Sequence, residues 1–192
     1  MSGLELGEAD KRGAQGPPIQ PAATVVVLRA SGGKPEVLLV QRSERLVFGP
    51  GHWVFPGGRL DPADYSAAGC AEPWAAARHA AVREVQEETQ LRLSIASLTP
   101  LSIWTTPPGP PRRFRAHFFI CATAEAQAVR VDGEEIVAYR WATVAAALDA
   151  FAAGALPLML PTRRTLQQFV DCDSTEECLA RCRAGTMAEA IG

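Results

Sequence analysis

Three glutamates within five positions constrain this chain more than any other feature: Glu84, Glu87 and Glu88 in the run Arg83-Glu84-Val85-Gln86-Glu87-Glu88. Spacings of three and four put the three carboxylates in one narrow sector of a helix. That helix is expected to start near Pro73, a residue suited to the first helical position, and to end near Thr89. The acids then lie in its last turns, where the macrodipole is already negative and each carboxylate costs about 0.3–1 kcal/mol. Arg83 and Glu87 also stand in the less favourable i,i+4 order. A merely solvated face would avoid both penalties, whereas a bound divalent cation removes them. Hard oxygen donors of this kind suit Mg²⁺ or Mn²⁺, which makes Glu84, Glu87 and Glu88 the candidate metal ligands.

The rest of the chain alternates strands and helices. Residues 1–20 read as a flexible leader closed by Pro17, Pro18 and Pro21. Ala23–Leu28 and Glu36–Gln41 are rich in β-branched residues around Ser31-Gly32-Gly33-Lys34-Pro35, so a hairpin is expected. Trp53-Val54-Phe55 is a short strand running into Pro56-Gly57-Gly58, and 61–72 is too irregular for either period. One or two strands are expected within Leu91–Trp104, then an exposed proline loop at 107–111. Further strands are expected at Ala116–Thr123 and Glu135–Trp141, with helices at Thr143–Ala153, Thr162–Val170 and Ser174–Arg183. The organisation is a domain over 21–171 with a C-terminal helical extension over 172–192, of mixed α/β (α+β) class.

Composition narrows the function. Nineteen basic against 21 acidic residues leave a net charge of −2, with no cationic surplus to displace phosphate counterions, so a nucleic-acid partner is not expected. No run has the length and apolarity of a membrane span, and five cysteines without a secretory leader fit reduced thiols in a cytoplasmic setting. Cys172, Cys178 and Cys182 lack a fourth ligand for a zinc site, and His79 lacks a partner. The four tryptophans read as core anchors rather than base-stacking platforms, Trp104 near the proline loop suiting either role. Whether two chains associate is left open.

Phe55-Pro56-Gly57-Gly58, followed by a helix carrying Arg83 to Glu88, resembles the Nudix hydrolase family. Its box reads Gly, five residues, Glu, seven residues, then Arg-Glu-apolar-x-Glu-Glu-x-Gly-apolar. The resemblance puts Gly58 at the box glycine and Arg83, Glu84, Val85, Glu87, Glu88 and Leu91 in its second half. Asp64 stands at the first acidic position, and Gln90 replaces the closing glycine. Counting the standard fourteen residues back from Arg83 reaches Gly69, eleven beyond Gly58, and this insertion leaves Asp64 without an assigned role. The resemblance implies a mixed β-sheet sandwiched between α-helices and a Mg²⁺- or Mn²⁺-dependent pyrophosphohydrolase cleaving a nucleoside diphosphate linked to another moiety. Arg83 would orient the glutamates, and an acid from a later loop would complete the catalytic set. Asp132-Gly133-Glu134-Glu135 is the candidate loop, Glu134 being preferred, against the plainer reading of an acidic turn.

Leu38, Leu39, Arg42, Ser43, Gly51 and Phe55 to Gly58 also follow, without a gap, a further signature of the coenzyme A diphosphatase branch. Val40 replaces its threonine and Val47 its second arginine. The resemblance implies CoA or acyl-CoA as substrate, with ADP-ribose, NADH, nucleoside triphosphates or a non-catalytic nucleotide-binding module as alternatives. Candidate substrate-binding residues are Arg42, Gly57, Gly58, Arg59 and Arg113. Arg42 and Arg59 read equally as phosphate clamps or as solvated strand ends, and Arg112-Arg113-Phe114-Arg115 equally as a phosphate receptor or a hairpin end.

Overall fold

A computed structural model describes residues 17–123, 127–185 and 188–191; most of the expected leader, 1–16, lies outside the described residues. The elements run β1 (Ile19–Ser31), β2 (Lys34–Arg42), β3 (Trp53–Val54), β4 (Gly57–Arg59), α1 (Pro62–Ala68), α2 (Pro73–Thr89) and a 3₁₀ turn (Ile95–Ser97). They continue as β5 (Thr99–Thr105), β6 (Arg113–Ala122), β7 (Ile136–Thr143), α3 (Val144–Ala152), α4 (Leu160–Gln167), α5 (Thr175–Ala184) and β8 (Ala188–Ile191). All strands join one mixed sheet of order β3-β2-β1-β6-β5-β8, with β7 on β2 and β4 on β1. The β1–β6 and β5–β8 pairs are parallel and the others antiparallel.

Helices cover both faces, which is why Val25–Leu28 and Val37–Val40 are apolar without alternation. Val25, Val27, Leu38 and Val40 pack with Ala76, Ala80 and Val85 of α2. Val26, Leu28, Val37 and Leu39 meet Val144, Leu166, Phe169 and Cys178 on the opposite side. Ala76, Ala77, Ala80 and Ala81 of α2 are fully buried, and their small size lets the helix lie close to the sheet. No helix among the described residues is long and apolar enough to cross a membrane.

Local signals place the helices. Glu72 caps α2 by accepting the Ala75 N–H at 2.9 Å, and Pro73 follows it. Gln90 ends α2 at φ 62°, the one positive-φ residue other than glycine among those described. Three expectations are corrected. Residues 61–72 are not irregular throughout, because Asp61 and Asp64 cap the short helix α1. Ile19 and Gln20, read as leader, already pair with Arg113 and Phe114 of β6. The segment 172–192 is not helical throughout, because Ala188–Ile191 adds a strand beside β5, the single strand that Leu91–Trp104 supplies.

The β1–β2 hairpin positions the site. It is paired only from Leu28 to Ser31 against Lys34 to Val37, and beyond that the strands part. The segment 53–59 fills the gap, β3 pairing with β2 and β4 with Ala22–Thr24 of β1, while Val25 N–H donates to Pro56 O at 3.0 Å. Gly57 and Gly58 are thereby wedged beside the C-terminal end of α2.

Candidate active site

The double glycine meets the glutamates directly. Gly57 N–H donates to Glu88 Oε2 at 2.9 Å. A Cβ on Gly58 would lie 2.4 Å from Glu84 Cδ, and one on Gly57, at φ +151°, would lie 2.2 Å from Ala23 O. Only glycine admits both contacts. Arg83 ties the remaining groups together: Nη1 donates to Glu84 Oε1 at 2.9 Å and Glu87 Oε2 at 3.0 Å, and Nη2 to Arg59 O at 3.0 Å.

Asp64, to which the motif spacing assigned no role, anchors that arginine. It is 4% exposed, and its carboxylate accepts from Asp61 N–H at 2.8 Å, from Arg83 Nη2 at 3.0 Å and from Arg83 Nε at 3.3 Å. The inserted residues form α1 against α2, and this folds the first acidic position back onto the helix. The signal for it is an acid six positions after Gly58.

Burial governs the electrostatics. Glu88 is 6% exposed, and desolvation pushes its pKa up to about 8 against the opposing Gly57 N–H. Glu84 is raised by desolvation too, with Arg83 pulling the other way. The Asp64 hydrogen bond holds the Arg83 guanidinium above its usual range. The Glu87 side chain is 59% exposed and turned towards Arg83. Among the described residues no three acidic, histidine or cysteine side chains stand together as a ready metal cluster, because Arg83 holds Glu84 and Glu87 while Gly57 holds Glu88.

A cavity of about 760 Å³ opens at this point. Glu84, Glu87 and Glu88 line it together with Gly57, Gly58, Arg42 and Arg59, so most of the expected site residues converge. Two do not. Glu134 does not line the cavity: Asp132 Oδ1 accepts the backbone N–H groups of Glu134, Glu135 (2.8 Å) and Ile136 (3.2 Å), and the tight turn presents Asp132 and Glu135 inward. Ser43 N–H donates to Glu135 O at 2.8 Å and fixes that side of the wall. Arg113 is likewise outside, since strand alternation sends Phe114, Ala116 and Phe118 to the cavity, where Arg112 joins them from just before the strand. Arg113 Nε closes the loop instead, donating to Thr106 O at 3.2 Å. Arg42 reaches the cavity, but its Nε is committed to Phe48 O at 2.9 Å. Sequence reasoning missed Phe48, Phe114 and Met159–Thr162, which come together only through the fold.

The five cysteines are free thiols. Comparison with curated protein sequences gave no match. Among solved structures, a NUDIX hydrolase from Alicyclobacillus acidocaldarius superposes with a TM-score of 0.75 at 27% identity, covering 89% of this chain and 97% of that one. The NUDIX domain of Shewanella oneidensis NrtR, complexed with ADP ribose, gives 0.58 at 17% identity over 86% and 89%. A C. elegans Ap4A hydrolase gives 0.56 at 21% identity over 79% and 95%; these last two likenesses concern the fold. The NUDIX domain family model matches residues 18–161, which hold the splayed hairpin, the double glycine and the glutamate helix, and the chain therefore belongs to the NUDIX family of hydrolases.

Proposed function

We propose that this hydrolase is a divalent-metal-dependent diphosphatase whose substrate is CoA or an acyl-CoA. The observation that carries the reading is the convergence of Glu84 and Glu88 on the Gly57–Gly58 bend, inside a cavity that also holds Arg42, Arg59 and Arg112. The CoA assignment rests on Leu38, Leu39, Arg42, Ser43, Gly51 and Phe55 to Gly58 in their spacing.

The donor set fits a hard cation: it is all oxygen, and burial of Glu88 makes its negative charge unfavourable without a positive partner. Glu84, Glu87 and Glu88 would hold Mg²⁺ or Mn²⁺. Such an ion supplies charge neutralisation of the diphosphate and a bound water of lowered pKa. The protein's own groups do the rest. Arg83, braced by Asp64, orients Glu84 and Glu87, and the Gly57 N–H orients Glu88. Glu88, whose negative charge burial disfavours, would serve as a ligand in its ionised form. Arg42, Arg59 and Arg112 bring positive charge to the phosphates. In the later loop Asp132 is engaged by the turn, which leaves Glu135 as the acid that completes the set.

The test is a Mg²⁺- and Mn²⁺-dependent assay over CoA, acyl-CoA, ADP-ribose, NADH, dinucleoside polyphosphates and nucleoside triphosphates, with Glu87→Gln and Glu88→Gln as controls. Metal-dependent release of a 4′-phosphopantetheine product, abolished in both variants, is the expected result. Turnover confined to another panel member overturns the CoA assignment, and saturable binding with no product overturns the hydrolase reading.

A further inference from the structure

Resting on the diphosphatase reading but not on its CoA assignment, we infer that the nucleoside half of the substrate lies along the sheet face from the Gly57–Gly58 bend to Trp104, its base held against Trp104, Phe114 and Phe118. Trp104 then decides specificity for diphosphates that carry a base. Strand register fixes the path. Arg59 of β4 pairs with Ala22 of β1, Ala22 with Ala116 of β6, and Ala116 with Trp104 of β5, so the four stand in one row across adjacent strands. Three interstrand gaps, about 14 Å between backbones, separate the ends of that row. All four residues line the cavity. A nucleoside 5′-phosphate, stretched from phosphorus to the far edge of its base, is of comparable length.

Side-chain size hollows the row. Ala116 and Ala22 lie between Trp104 and Arg59 and make a shallow floor. Phe114 and Phe118, two residues to either side of Ala116, rise from the same strand face and line the same cavity. Each ring is held by another: Phe114 meets Phe48 edge-on at 5.0 Å, and Phe118 meets Phe55 edge-on at 6.5 Å. Three of the tryptophans are used internally, Trp53 beneath Arg140, Trp74 against His117 and Phe119, and Trp141 beneath Arg29. Trp104 differs: it lines the cavity, and its Nε1 is buried without a hydrogen-bond partner among the described residues. Buried tryptophan N–H groups are ordinarily paired, and leaving one unpaired is unfavourable. A base answers both features of this wall, with a flat π-face for the rings and acceptor nitrogens at its edge for Nε1. A hydrocarbon tail has no acceptor to offer, and a phosphate suits the opposite end of the row, beside Arg59.

The test is calorimetry on the Mg²⁺-loaded protein with AMP, ribose 5-phosphate and 4′-phosphopantetheine, none of which has a diphosphate bond to cut. AMP should bind about 5- to 150-fold more tightly than ribose 5-phosphate. Trp104→Ala should remove most of that gain. Trp104→Phe, which keeps a ring and loses the N–H, should weaken AMP about two- to tenfold. Both should leave the 4′-phosphopantetheine constant unchanged, and quenching of tryptophan emission by AMP should vanish in Trp104→Phe. Circular dichroism checks folding; should Trp104→Ala fail that check, the conservative variant carries the test. Equal binding of AMP and ribose 5-phosphate, no binding of AMP, AMP constants untouched in every folded variant, or a loss confined to 4′-phosphopantetheine overturns the subsite. The turnover panel is read separately. Hydrolysis of ADP-ribose alone, with Trp104-dependent AMP binding, keeps the subsite and removes the CoA assignment, while metal-dependent CoA turnover with Trp104-independent AMP binding does the reverse.

Discussion

Replacing Gly58 with alanine should separate the site from the fold. The new Cβ would stand 2.4 Å from Glu84 Cδ, where ordinary contact begins at 3.4 Å, so the carboxylate must recede by the difference, about 1 Å. It can do so, because the obstructing atoms belong to a side chain rather than to backbone. Gly58 lies outside the left-handed region, so alanine fits its backbone and gains about 0.4–1 kcal/mol by stiffening the unfolded chain. Weakening the partly exposed Arg83–Glu84 pair offsets this by about 1 kcal/mol, and net stability barely changes. A displacement of about 1 Å at a positioned group, by contrast, costs about a hundredfold in rate. Gly58→Ala is therefore expected to weaken Mn²⁺ binding in calorimetry and to lower turnover about a hundredfold, with the melting temperature within a few degrees of the parent. Gly57→Ala is the control: its Cβ would lie 2.2 Å from Ala23 O and 2.7 Å from Thr24 Cα, both backbone, and it should lose stability outright. Wild-type turnover in Gly58→Ala would show that the position of Glu84 is irrelevant. A large fall in melting temperature would show that Gly58 serves packing instead.

Other outcomes follow from the same contacts. Burial pushes the Glu88 pKa from 4.5 up to about 8, so in the metal-free protein its contribution to stability is fully present below about pH 4.5. The protein should lose roughly 1 kcal/mol per pH unit as the pH rises towards 8, and Glu88→Gln should flatten this slope in melts taken across that range. Asp64→Asn removes the buried charge facing Arg83 and should cost about 1–3 kcal/mol in urea unfolding. Gln90→Gly relieves the positive φ at the end of α2 and should gain about 0.5–1 kcal/mol by calorimetry, with turnover intact. Arg112→Ala should raise KM for the diphosphate substrate more than Arg113→Ala, whose guanidinium closes a loop.

Features that depend on local spacing are legible in the order of residues alone. The bounds of α2 follow from Pro73, the alanine run and the i, i+3, i+4 glutamates, and the helix spans Pro73–Thr89. The proline loop, the hairpin and the cap at Thr143 are equally local. Legibility was weakest at α1, where Asp61-Pro62-Ala63-Asp64 holds no apolar period and the helix stands on caps and on contact with α2. Periodicity carries no information about such an element. Glu134 lies off the cavity for a related reason: an aspartate-nucleated turn decides which neighbour faces inward, and composition does not.

What the sequence determined by itself was the family resemblance, the clustering of the carboxylates on one helix face and the glycine pair, because residue type and local spacing fix all three. Tertiary structure decided which side chains share the cavity. Asp64 reaches Arg83 across nineteen positions, Phe48 meets Phe114, and loop 43–52 seats on Met159. These are encounters between distant segments, set by how a splayed hairpin admits β3 and β4 and by which face of β6 turns inward. No local pattern encodes them, since each depends on where another part of the chain has packed.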